Sequence, residues 1–84
     1  MKTELKLGTF RFPGQAGPRA GSVVGENQVV DLNLAYAAYL SSKELATQPY
    51  QLADAVVPTE MVAFLKGGSQ AIEAARKAVD YVKS

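Results

Sequence analysis

Between residues 10 and 21 the chain reads FRFPGQAGPRAG, three glycines and two prolines leading up to and around Arg19. A glycine-rich turn beside a cation is the raw material of a phosphate cradle, where backbone N–H groups and a helix N-terminus face the anion. That chemistry needs a lysine followed by serine or threonine after the last glycine, and a helix opening there. Gly21 is followed by Ser22, Val23 and Val24 instead, which continue as a strand. The dinucleotide-binding fingerprint fails on the same ground. The segment therefore reads as a hairpin connection, with Pro13–Gly14 and Gly17–Pro18 as turn punctuation. Arg19 is its one candidate for meeting an anion.

The carboxylates are Glu4, Glu26, Asp31, Glu44, Asp54, Glu60, Glu73 and Asp80. A hard-cation site needs several of them at one point or in a recognisable loop spacing. Here they are scattered singly, and Asp31 and Glu60 fall where helix starts are expected, favoured there by the helix dipole. Tyr36 and Tyr39 lie three apart on an expected helix, with Tyr50 and Tyr81 elsewhere. On a sheet such rings can stack bases, but helical tyrosines fit better as core covers with hydroxyls in water. No residue is assigned a catalytic, cofactor-binding or metal-binding role.

Histidine, cysteine and tryptophan are absent. The first absence removes the commonest general base and metal ligand, the second removes disulfides and thiolate sites and makes the cytoplasm the expected location. A net charge of +1 with both signs interspersed leaves no electrostatic footprint for nucleic acid or an anionic membrane. The first ten residues lack the apolar stretch of a signal peptide, and no apolar run is long enough to span a bilayer. Hydrophobic residues make up 48% of the chain and charged ones 20%, the balance of a folded domain rather than a disordered tail. At 84 residues one small domain is expected.

The elements that must carry these residues follow from periodicity and punctuation. Residues 5–12 read as a first strand, but Leu5 and Leu7 share one face while Phe10 and Phe12 share the other. A bulge near Gly8 and Thr9 would bring all four to one side. Strands over 20–24 and 28–32 flank a tight turn in which Gly25 and Asn27 tolerate positive φ. A helix over 33–41 follows, capped by Asp31 or Asn33. Residues 43–58 read as a mixed connection broken by Pro49 and Pro58.

A helix over 59–67 starts at Thr59, buries Met61, Phe64 and Leu65 on one face and closes at Gly67. The last helix, 70–83, is capped by Ser69, buries Ile72, Ala75, Val79 and Val82, and pairs Glu73 with Lys77. Its alanine-rich stripe also suits docking of another element. The fold class is α+β: a small antiparallel sheet of three or more strands, open or partly rolled, with two or three helices on it.

In order, "LGTFRF", "GPRAGSVVGENQVVDLN" and "VPTEMVAFLKGGSQAIEAARKAV" resemble the N-terminal domain of the fumarylacetoacetate hydrolase family, in its bacterial-type branch. The matching pieces are residues 10–11, 17–21, 24–32, 58–67 and 71–78. No single piece is specific; the series and its order carry the resemblance. Residues 41–55 are longer than the family pattern.

The resemblance implies that the chemistry lies in a C-terminal catalytic domain, absent from these residues. There a glycine-asparagine-tyrosine motif, a histidine, a Glu-x-Glu and an aspartate hold Mg²⁺ or Mn²⁺. Such enzymes cleave or rearrange C–C bonds of β-dicarbonyl or 2-oxo acids, the cation stabilising the developing oxyanion. The expected role of residues 1–84 is then a non-catalytic accessory domain, packing on the catalytic domain or the dimer partner. The alternative is a free-standing protein-binding module, and a weaker third reading is an anion-binding regulatory domain using Arg19. Neither a nucleic acid nor a membrane is an expected partner.

Overall fold

Three strands form an antiparallel meander in the order β1 (Leu7–Phe10), β2 (Arg19–Val24), β3 (Gln28–Asp31). The computed structural model describes residues 5–25, 28–45 and 47–83. Asn27, expected to share the second turn with Gly25, lies outside them, as do Glu4 and Glu26. Gly25 does adopt positive φ, at 68°.

The β1–β2 register is regular, Leu7 opposite Ser22 and Gly8 opposite Gly21 through to Phe10 opposite Arg19. The expected bulge at Gly8 and Thr9 is therefore absent. Leu5 and Leu7 pack against the core, and the Phe10 and Phe12 rings lie over the opposite face. Two glycines make that possible. A Cβ on Gly8 would sit 2.9 Å from the Phe10 ring, and one on Gly21 would sit 3.0 Å from Phe10 and 3.1 Å from Phe12. The paired glycines leave a trough for both rings, so the out-of-phase aromatics need no change of pleat.

Ala20, Ser22 and Val24 of β2 face the helices and are buried. The buried Ser22 hydroxyl accepts from the Lys6 N–H at 3.2 Å. β3 turns into helix at Asp31, which leaves the edge of β2 beyond it unpaired. The Thr59 carbonyl takes the vacated place, accepting from the Ala20 N–H at 2.6 Å. A loop 39 positions away in the chain thus completes the strand.

The described residues form four helices, α1 (Leu32–Ser42), α2 (Pro49–Val56), α3 (Met61–Lys66) and α4 (Gly68–Lys83); α1 and α3 lie against the sheet, and α2 and α4 pack on α1. Asp31 is the N-cap of α1, its carboxylate accepting from the Leu34 N–H at 3.2 Å. Asn33, the other expected cap, lies inside the helix and is buried. At the far end the Leu45 N–H reaches the Leu40 carbonyl and the Glu44 N–H the Ser41 carbonyl. With Glu44 at φ 55°, these bonds form a Schellman cap, with glutamate where glycine is usual.

α2 occupies the stretch expected to be a broken connection. Pro49 stands at its first turn, where the missing N–H costs nothing and the fixed φ suits a helix start. The proline opens this helix rather than interrupting one. Ala53 and Val57 are fully buried beneath it.

α3 starts after Glu60 rather than at Thr59, whose carbonyl is engaged by β2. Phe64 is fully buried and Met61 partly so, but Leu65 is 52% exposed, so the three do not share one buried face. Gly67 ends α3, and Gly68, at φ 63°, reverses the chain directly into α4. No linker separates the two helices, which is why Ser69 lies inside α4 rather than capping it. The buried stripe of α4 is Ala71, Ala74, Ala75, Ala78 and Val79, while Val82 turns outward. Glu73 pairs with Arg76 rather than Lys77. Small residues line the stripe because α1 and α4 pack closely along their length.

The core joins Val24, Leu32, Val57, Phe64, Ala71, Ala74, Ala75 and Val79. One residue at least comes from or adjoins each helix and the central strand. Among the described residues no helix is long and apolar enough to cross a membrane.

Candidate functional site

Arg19 emerges from the glycine-rich connection at the first residue of β2, and the sheet decides what it meets. Asp31 stands opposite Gly21 on β3, on the same face of the sheet as Arg19. The Arg19 Nε donates to Asp31 Oδ2 at 2.6 Å, and a terminal guanidinium nitrogen donates to Asp31 Oδ1 at 3.5 Å and Asn33 Oδ1 at 3.2 Å. The two charged side chains are only 13% and 9% exposed. A guanidinium held by a carboxylate in a partly desolvated setting is neutralised where it stands. That leaves little of its field for a free anion.

Asn33 extends the network. Its Nδ2 donates to Asp54 Oδ1 at 3.0 Å and to the Val57 carbonyl at 2.9 Å. Arg19, Asp31, Asn33, Asp54 and Val57 thereby tie β2, β3, α1 and α2 at one corner. In the sequence Asn33 reads only as a possible cap. Its position between two leucines in the first turn of a helix gives no local sign of partners 21 and 24 residues away.

The glycine-rich connection itself is open. Gly14 and Gly17 have φ of 80° and 70°, and a Cβ on either would meet nothing within 4 Å. The Gln15 N–H closes a turn onto the Phe12 carbonyl at 3.2 Å. Positive φ is the reason for glycine at both positions, and after Gly21 the chain continues as β2. The connection is a strand-to-strand turn and opens no helix.

The carboxylates stay apart. Asp31 serves Arg19 and the α1 cap, Asp54 accepts from Asn33, and Glu73 pairs with Arg76. Glu60 precedes α3 without a side-chain cap bond. Among the described residues no three acidic or other ligating side chains converge on a point that would hold a metal ion.

The tyrosines gather more than their spacing implied. Tyr36 and Tyr39 stack at 5.9 Å with 19° between planes, and Tyr39 meets Tyr81 edge-on at 6.1 Å and 70°. Tyr36 packs against the core. Burial, and secondarily the neighbouring Tyr39 hydroxyl, pushes its phenol pKa up. Tyr50 stands apart, 66% exposed. Beside the Tyr39–Tyr81 contact lies a surface groove of about 300 Å³, lined by those two rings with Lys43, Lys77 and Asp80.

The sheet has one covered face and one open one. The helices cover the face of Leu7, Val24 and Val30. The other carries Phe10 and Phe12, in edge-to-face contact at 6.4 Å and 67°, with Val23 and Val29 on the adjacent strands. Among the described residues α1 meets this second face at the corner where Asn33 accepts from Arg19, and Val29 is 38% exposed.

Among the described residues these features define a small α+β domain, a three-stranded antiparallel meander packed with four helices. Compared with protein-family models, curated proteins and solved structures, the chain has no match.

Proposed function

We propose that residues 1–84 form the non-catalytic N-terminal accessory domain of a cytoplasmic enzyme of the fumarylacetoacetate hydrolase type. The domain packs through its open sheet face on the catalytic domain or the dimer partner. The observation that carries this reading is the pair Phe10 and Phe12 laid over Gly8 and Gly21 on the side away from the helices. An aromatic pair on a flat, glycine-floored sheet face is apolar surface suited to burial against another domain. The series of motifs from residues 10–11 to 71–78 supports the family, and Arg19, bound to Asp31, is better suited to holding this corner than to binding substrate. The Mg²⁺ or Mn²⁺ of the parent enzyme belongs to the catalytic domain.

A second reading rests on a different surface. Leu45, Tyr50 and Leu52 are 57%, 66% and 38% exposed and lie in residues 41–55, the stretch that departs from the family pattern. They favour a free-standing protein-binding module.

The test is to read the coding sequence beyond codon 84 and assay both halves. The expected result is a downstream glycine-asparagine-tyrosine and Glu-x-Glu pair, with Mg²⁺- or Mn²⁺-dependent turnover of an acylpyruvate or oxaloacetate-like substrate by the joined protein. Replacing Phe10 and Phe12 together by serine then weakens association of the halves. Turnover by residues 1–84 alone overturns the division of labour. Absence of the downstream motifs overturns the family reading and leaves the binding module.

A further inference from the structure

The groove on the helical side is built symmetrically from two helices. Tyr39 and Lys43 come from the end of α1, four residues apart, and Lys77 and Tyr81 come from α4 at the same spacing. Tyr39 meets Tyr81 edge-on, and Lys43 and Lys77 line the same groove beside them. Among the described residues neither lysine has an ion pair. Glu73, the carboxylate one turn before Lys77, is engaged by Arg76. Asp80 is the one carboxylate lining the groove, leaving two ammonium groups against a single negative charge.

One feature suits this groove to an anion. Two ammonium groups lining one groove repel one another, and a multivalent anion bound between them offsets that repulsion. The edge-on Tyr39 and Tyr81 rings offer apolar wall to a planar group. At about 300 Å³ the space is at the low end of ligand pockets, fit for one ring and its charged substituent.

We propose that this groove binds an aryl phosphate, the phosphate bridging Lys43 and Lys77 and the ring lying against Tyr39 and Tyr81. The phosphate dianion matches the two cations, and Asp80 stands ready to accept from a hydroxyl or amino substituent on the ring. The site is separate from the open sheet face and does not depend on the accessory-domain reading.

Titration of the chain with phenyl phosphate, followed by amide chemical shifts and tyrosine fluorescence, tests it. The expected result is saturable shifts centred on Tyr39, Lys43, Lys77 and Tyr81, with affinity roughly tenfold above that of inorganic phosphate or phenol alone. Lys43→Gln with Lys77→Gln abolishes saturation, whereas Lys43→Arg with Lys77→Arg keeps it. Both lysines are exposed, and well-dispersed amide spectra of the variants verify that they remain folded. Non-saturating shifts, or equal affinity for the glutamine variant, overturn the proposal. Equal binding of inorganic phosphate overturns the role of the ring.

Discussion

The Asn33 side-chain amide donates to the Val57 main-chain carbonyl at 2.9 Å, across 24 residues of sequence. Asn33 is 4% exposed and Val57 fully buried. The bond thus satisfies a carbonyl at the end of α2 that water cannot reach, and the same asparagine accepts from Arg19. A polar residue inside the first turn of α1 in this way holds the corner where sheet, α1 and α2 meet.

Replacing Asn33 by alanine leaves the Val57 carbonyl without its donor, which costs roughly 2 kcal/mol. The urea midpoint falls with little change in the slope of the transition. Asn33→Asp keeps an acceptor for Arg19 but loses both donated bonds and faces a carboxylate toward Asp54 and the Val57 carbonyl. It is the more damaging change at neutral pH. Unaltered midpoints for both variants would show that the corner contributes nothing.

Gly21→Ala strikes backbone. The new Cβ would lie 2.9 Å from the Val30 carbonyl oxygen as well as against both phenylalanine rings. The strand cannot yield as a side chain can, so a loss of about 1–3 kcal/mol is expected. At Gly8 the atoms met are only the far end of the Phe10 ring, and alanine there costs less while moving that ring. Thermal unfolding of the two variants, with aromatic proton shifts for Phe10 and Phe12, separates them.

Glu44→Gly stabilises. Glu44 is exposed and sits at φ 55°, in the left-handed cap of α1, a conformation that strains an L side chain and leaves glycine unstrained. After the entropy glycine adds to the unfolded chain, the gain is about 0.5–1 kcal/mol, read as a raised unfolding midpoint. A lowered midpoint would mean that the glutamate side chain holds the cap by a contact of its own.

Alkaline pH destabilises through Tyr36, whose phenol pKa is raised from 10.0 by burial and then by Tyr39. Below 10.0 the folded and unfolded chains both keep this phenol protonated, and the contribution of Tyr36 to stability is fully present. As pH rises past that value the unfolded chain releases the proton while the folded one retains it, so stability falls until the folded value is passed. Tyr36→Phe removes this part of the alkaline loss. The measurement is the unfolding midpoint of both proteins at neutral pH and above 10.0; an unchanged alkaline slope in the variant would contradict it.

Local patterns in the sequence determined the α+β class, the meander and the last helix, and narrowed the α1 cap to Asp31 or Asn33. Each depends on neighbours within a few residues: valines around a glycine turn, a carboxylate before a leucine-alanine run, apolar residues at helical spacing. The glycine-rich connection was legible for the same reason, since a phosphate cradle must run from glycine into a helix and this one runs into valines. Pro49 is ambiguous in sequence because proline ends a helix interior and also opens a first turn, and only the burial of Ala53 and Val57 selects the second.

The remaining features belong to the tertiary structure. The straight β1 depended on Gly8 standing opposite Gly21, a cross-strand pairing that makes room for Phe10 and Phe12. The binding of Arg19 by Asp31 and Asn33, the completion of β2 by Thr59, and the meeting of Tyr39 with Tyr81 all join residues distant in the chain. Their spacing in sequence carries no signal, because such contacts exist only once β3 has turned into α1 and α4 has folded back along it.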